Sequence, residues 1–182
     1  MIFTRYYIPE IILIKPKVLE DSRGSFMESF RQDLFDRHIG PIRFLQENES
    51  RSTSGVLRGL HYQVPPKAQS KLIRVVAGRI LDVAVDIRKS SSTFGQHIAV
   101  ELSADDNHQL FIPKGFAHGF IVLSREAIFS YKVDAYYAPE HERGIFYADP
   151  ELGIDWGLPE QEMVLSSKDQ ELPCLNEAEI FE

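Results

Sequence analysis

The chain has 182 residues, a net charge of −7 at pH 7 and 43% hydrophobic residues, a length that fits one domain spanning 1–182 and buries roughly 70% of the unfolded chain's surface. The acidic balance argues against a nucleic-acid partner, and the single Cys174 against a disulfide framework or a multi-cysteine metal site. No apolar run is long enough to span a bilayer and Met1–Glu10 lacks a secretory pattern, so a cytoplasmic protein is expected.

Period-two alternation recurs along the chain and helical periodicity is scarce. Strands are expected at Ile11–Ile14, Phe26–Phe30 and Phe44–Glu47, with a turn at Asp21-Ser22-Arg23-Gly24 and a short helix, Asp33–His38, that takes Asp33 as N-cap. Lys71–Val76, Gln109–Ile112, Phe120–Leu123 and Ile128–Val133 read as further strands. Leu81, Val83, Val85 and Ile87 alternate with Asp82, Ala84, Asp86 and Arg88, and Ile98, Val100 and Leu102 with Ala99, Glu101 and Ser103, the pattern of half-buried strands. Turn residues stand at Ala77-Gly78, Ser90-Ser91-Ser92 and Pro113-Lys114-Gly115. From Pro150 onward acidic and turn residues predominate, and this part is expected to wrap the strands in short helices and loops. The architecture implied is all-β, a sandwich or double-sheet jelly roll.

Chemistry concentrates at residues 55–63, Gly-Val-Leu-Arg-Gly-Leu-His-Tyr-Gln, followed by Gln69-Ser70-Lys71. A histidine with an ordinary pKa of about 6.5 can take a proton near neutrality, and nearby cations can hold the anion that forms. The stretch alone leaves open that His61 is a hydrogen-bonded core histidine beside ordinary surface charges. Tyr131, one face with Phe129 on its strand, reads by itself as a core tyrosine.

Pro113-Lys114-Gly115-Phe116-Ala117-His118 resembles the second motif of the cupin superfamily. In the place of the His-x-His of the first cupin motif stands His61-Tyr62-Gln63, an amide where a second imidazole ligand would be, so the metal set is broken.

Taken together, Asp21–Phe26, Gly55–Gln63, Gln69-Ser70-Lys71, Leu81–Arg88, Pro113–Phe120, Tyr131-Lys132, Glu142–Ile145, Asp149-Pro150 and Ser167-Lys168-Asp169 resemble the dTDP-4-dehydrorhamnose 3,5-epimerase family, in consistent order from about residue 2 to about residue 175. The resemblance implies a cupin-type jelly roll (double-stranded β-helix) with short peripheral helices, a homodimer, no metal and no organic cofactor. The implied substrate is a dTDP-4-keto-6-deoxy sugar in the pathway to dTDP-L-rhamnose, with inversion at C3 and C5.

By the same resemblance His61 is the base, Asp169 the carboxylate that orients it, Tyr131 the acid on the opposite face and Lys71 the cation that stabilises the enolate. Arg23, Arg58, His118 and Lys168 are implied diphosphate and sugar contacts; Glu28, Gln46, Glu47, Asn48 and Glu142 polar contacts; Phe26 and Tyr137 neighbours of the nucleotide. Arg23, Phe26 and Glu28 are expected to reach a neighbouring subunit's pocket, and Ile11–Ile14 with Phe26–Phe30 to supply the apolar edge that drives dimerisation. Glu47, Arg79 and Tyr147-Ala148 depart from the family's usual residues, and none of these departures removes a proposed catalytic group.

The chemistry supports these roles independently. A proton beside a ketone leaves only if the oxyanion is stabilised, and inversion needs one group on each face. An enolisable ketone is its own electron sink, consistent with the lack of a Gly-x-Gly-x-x-Gly fingerprint. Competing expectations are a single-site epimerase of a related sugar, a metal-dependent cupin enzyme using His61 and His118, and a nucleotide-sugar-binding jelly roll that turns nothing over.

Overall fold

Alternating sequence becomes antiparallel sheet in the computed structural model, which describes all 182 residues. Along the chain lie β1 (Ile2–Arg5), β2 (Ile12–Lys15), β3 (Val18–Asp21), β4 (Gly24–Met27), helix α1 (Gln32–His38) and β5 (Gln46–Thr53). There follow β6 (Leu57–Gln63), β7 (Lys71–Ala77), β8 (Arg79–Asp86), β9 (His97–Ser103), β10 (Gln109–Ile112), β11 (Phe116–Val122) and β12 (Glu126–Val133). The short strand β13 (Glu142–Gly144) and the one-turn helix α2 (Ser167–Gln170) complete the order.

A six-stranded sheet, β1-β2-β10-β7-β12-β5, faces a five-stranded sheet, β13-β6-β11-β8-β9, while β3 and β4 form a separate hairpin. This is the cupin-type jelly roll, and its crossovers bring residues far apart in the chain onto neighbouring strands. The apolar layer between the sheets includes Ile73, Val75, Ile80, Ile98, Leu102, Leu110, Phe120 and Phe129. Each such side chain fully removed from water contributes about 1.5–3 kcal/mol.

Strand β8 corrects the half-buried reading. Ile80, Asp82 and Ala84 share the inner face, whereas Val83, Val85 and Ile87 pack beneath Leu152, Trp156 and Leu175 of the C-terminal segment. Its alternation therefore separates two interiors, and Asp82 and Asp86 are fully buried. β9 has no such cover and keeps Ala99 and Glu101 exposed.

Helix α1 begins one residue earlier than expected, with extended Arg31 as N-cap and no side-chain cap. Asp33 lies instead in the first turn, its carboxylate accepting from Arg31 Nη2 at 2.7 Å. The helix buries Phe35 in an aromatic cluster with Phe3, Phe30 and Phe44 over Ile12, Ile14, Leu72 and Phe111. Ile11–Ile14 is therefore no exposed edge, because β1 and β10 flank β2 and α1 covers its outer side. The exposed large hydrophobic side chains of this region are Ile2, Tyr7, Leu19 and Phe26.

Strand boundaries also differ: β2 and β7 end one residue later than expected, β2 starts one later and β12 two earlier, and three strands differ more. β4 stops at Met27, as Phe30 turns into the aromatic cluster; β5 occupies Gln46–Thr53 rather than Phe44–Glu47; β11 begins at Phe116 rather than Phe120. No helix is long and apolar enough to cross a membrane.

Candidate active site

Between the sheets the apolar layer gives way to a cavity of about 330 Å³ lined by both sheets and by α2. His61 and Arg58 enter it from β6, Lys71 from β7, His118 from β11, Tyr131 from β12, and Lys168 and Asp169 from α2. Arg58 and His61 stand three residues apart, a spacing that points to opposite faces in a regular strand. The β6–β11 register shifts between His118 and Phe120, and this irregularity re-aims both side chains into one cavity. It depends on two glycines in backbone contact: a Cβ on Gly59, whose φ is +137°, would meet Gly119 Cα at 2.4 Å.

His61 Nε2 lies 2.7 Å from Asp169 Oδ1 across 108 residues of sequence. Asp169 is buried, and its backbone N–H donates to Ser166 Oγ, the N-cap of α2, at 3.1 Å. Burial pushes the Asp169 carboxyl up, but the His61 hydrogen bond and charge, with Ser166 and the Gly59 amide, outweigh it and hold the pKa below the ordinary value. An ionised carboxylate accepts only, so Nε2 of His61 carries the ring proton and Nδ1 is the basic nitrogen.

Lys71 is 9% exposed and donates to the His61 carbonyl at 3.3 Å and to His118 Nδ1 at 3.4 Å. Burial lowers its pKa to about 8 against the charges of Asp82 and Glu142, so the ammonium form still predominates at pH 7. A desolvated cation here is far more effective towards a forming oxyanion than one in water.

Tyr131 approaches from the six-stranded sheet, whereas His61 belongs to the five-stranded sheet, so the two reach the cavity from opposite layers. Burial raises the Tyr131 pKa, against a hydrogen bond from Asn48, and the phenol keeps its proton at neutral pH. Phe129 packs beside it, ring centres 5.3 Å apart, and stacks on Phe120 at 4.4 Å to form an apolar wall.

Around the cavity, Lys168 Nζ reaches Glu142 Oε2 at 2.5 Å and the Tyr137 hydroxyl donates to the same oxygen at 2.9 Å. Burial raises the Glu142 carboxyl, but Lys168 and Tyr137 bring its pKa below the usual value. Arg58, exposed, is anchored by Nε donating to buried Ser52 at 3.2 Å. Gln46 accepts from the Tyr137 amide at 3.0 Å and donates to Asn48 at 2.8 Å, on the inner side of β5.

Four expected contacts lie away from this cavity. Glu47 is on the outer face of β5, accepting from Lys132 at 2.6 Å and Ser130 at 3.1 Å, because successive strand residues point opposite ways. Arg23 pairs with Asp21 in the hairpin turn, Phe26 is 67% exposed, and Glu28 lies near Arg31 at 3.6 Å. Ser50, Gln69, Phe120, Phe129 and Ser166 line the cavity without having been assigned a role from sequence. Ser166 was detectable, since Ser166-Ser167-Lys168-Asp169 is a capping pattern.

The donor set does not suit a metal. Gln63 is 3% exposed and spent on the backbone, donating to the Lys67 carbonyl at 2.6 Å and accepting from the Ala138 amide at 2.7 Å. No three His, Cys, Asp or Glu side chains converge as a ligand set.

A base, a buried ammonium and a protonated phenol around one cavity are the parts of a proton-transfer site on a carbonyl compound. The sequence profile of the dTDP-4-dehydrorhamnose 3,5-epimerase family matches residues 5–177. The chain belongs to this family. It is 54% identical over 163 residues to the dTDP-4-dehydrorhamnose 3,5-epimerase of Shigella flexneri, covering 89% of each chain, and 50% identical over 179 residues to that of Pseudomonas aeruginosa, covering 98% of each. Among solved structures, the dTDP-6-deoxy-D-glucose-3,5-epimerase of Legionella pneumophila in complex with dTDP-4-keto-L-rhamnose superposes with a TM-score of 0.92 at 50% identity, covering 96% of this chain and 93% of that one. Like its family, the chain is an isomerase with a cupin-type fold.

Proposed function

We propose that the protein inverts C3 and C5 of dTDP-4-dehydro-6-deoxy-D-glucose, giving dTDP-4-dehydro-L-rhamnose, without a cofactor. The observation that carries this reading is the placement of a carboxylate-backed imidazole and a protonated phenol on opposing sheets around a buried ammonium. Full-length similarity to enzymes of that name supports the substrate.

His61 Nδ1 removes the proton beside the ketone, and Asp169 stabilises the imidazolium that results. Lys71 holds the oxygen of the enolate, so its interaction grows as charge develops. Tyr131 returns a proton from the other face, and the ketone re-forms inverted. Arg58 and Lys168 take the diphosphate and sugar, with Tyr137, Gln46, Asn48 and Glu142 completing the pocket; His118, expected among these contacts, has both ring nitrogens engaged by Asp82 and Lys71 and borders the cavity only with its ring. The protein works as a cytoplasmic homodimer in which the exposed β3–β4 hairpin carries Arg23 and Phe26, with Glu28 just beyond it, to the partner's pocket; their exposure and their absence from the lining of their own cavity support this.

The test is NMR of the dTDP-4-keto sugar with enzyme in D₂O. Deuterium should enter C3 and C5 with inversion of both. Entry at one carbon only would make this a single-site epimerase, and no entry would refute the reaction.

A further inference from the structure

We infer that Asp82, a residue that does not line the cavity, is a positioning residue that aims Lys71 at the substrate oxygen through His118. The inference rests on the epimerase reading above, in which Lys71 holds the enolate.

Asp82 is fully buried on β8, and its Oδ2 lies 2.9 Å from His118 Nε2. A carboxylate offers no proton, so His118 carries its own on Nε2 and turns a lone pair at Nδ1 towards Lys71 Nζ, 3.4 Å away. Burial first, and the Lys71 charge with it, keep His118 neutral by lowering its pKa, against the pull of Asp82. Phe129, nearly parallel to the imidazole at 14° and 6.1 Å, restrains the ring.

An ammonium has three N–H donors. One goes to the His61 carbonyl and one to His118 Nδ1, which leaves one for the cavity. With the opposite tautomer of His118, an N–H would face an N–H and the ammonium would lose its second anchor.

The charge on Asp82 has a second use. Its Oδ1 is buried without a partner, a costly arrangement for a group that merely fills a hydrogen bond. Asp82 is also the foremost charge favouring the Lys71 ammonium against burial. Asp82, neutral His118 and Lys71 thus form a buried anion–imidazole–cation series in which each end justifies the other.

The test is Asp82→Asn, assayed as kcat, KM and their pH profiles. Besides Asp82 on β8, the titratable groups that share the cavity with Lys71 are Arg58, His61 and Tyr62 on β6, His118 on β11, Tyr131 on β12, Tyr137 ahead of β13 and Glu142 on it; on α2, Asp169 and Lys168 are engaged with His61 and Glu142. The protonated lysine is the active form, so activity falls as pH rises through its pKa. Loss of the anion lowers that pKa, and the basic limb of kcat should move down by about one pH unit. kcat should fall about tenfold or more with KM nearly unchanged. A parent enzyme that exchanges deuterium and a variant whose pH limb does not move would overturn the positioning role alone, whereas a parent that exchanges nothing would overturn the reaction. If the variant fails to fold, ¹⁵N NMR of the parent decides: a proton on His118 Nε2 supports the series, and one on Nδ1 overturns it.

Discussion

Replacing Tyr131 by phenylalanine separates proton removal from proton return. The substitution deletes one hydroxyl on a half-buried side chain already packed on Phe129 and hydrogen-bonded to Asn48. Loss of one such neutral bond costs about 0.5–1.5 kcal/mol, so the fold should persist. The catalytic loss is larger, since a positioned acid is worth roughly 10²–10⁴ in rate. His61, Asp169 and Lys71 remain, and the enolate still forms on their side of the cavity. His61 can then hand a solvent-derived proton back to the face it came from. Followed by NMR in D₂O, Tyr131→Phe should incorporate deuterium with retained configuration at one or both carbons, exchange outrunning inversion by that factor. Inversion of both centres at nearly the parent rate would refute the role and leave Tyr131 a packed core residue.

Asp169→Asn removes the charge behind the His61 hydrogen bond, a contribution of about 1.5–3 kcal/mol, and should lower kcat roughly 10- to 100-fold in steady-state kinetics; an unchanged kcat would remove Asp169 from the mechanism. Arg58→Ala deletes an exposed guanidinium anchored on Ser52, and should raise KM about tenfold or more while leaving kcat within a few-fold, since it holds substrate and transition state alike; the reverse pattern would assign it to the chemistry. Gly119→Ala places a Cβ 2.9 Å from the Arg58 carbonyl and 3.1 Å from Gly59 Cα, an overpacking cost of about 1–3 kcal/mol. By calorimetry Tm should fall by about 2–4 °C for each kcal/mol, and kcat should fall with it as Arg58 and His61 are displaced; a variant with parental Tm and kcat would show that the irregularity tolerates a side chain.

Local sequence is enough to establish that the protein is built from short strands with turns at glycine, proline and serine, because alternation and turn chemistry are properties of neighbouring residues. Gln109–Ile112 is read to the residue on that basis. The residue types at 58, 61, 71, 131 and 169 are likewise legible as an acid–base and cation set through the family resemblance. What covers each face is not legible. β8 alternates like a half-exposed strand, yet Trp156 and Leu175, some seventy to ninety residues on, bury its second side. β5 carries Gln46, Asn48, Ser50 and Ser52 inward, a polar row that hides a strand from any hydrophobic pattern. Only the tertiary structure decides that Glu47 turns away from the cavity, that Arg58 and His61 share one wall, and that Asp82 stands behind Lys71. The reason is physical: periodicity records which side chains share a face, while the crossing of strands between two sheets determines what that face meets.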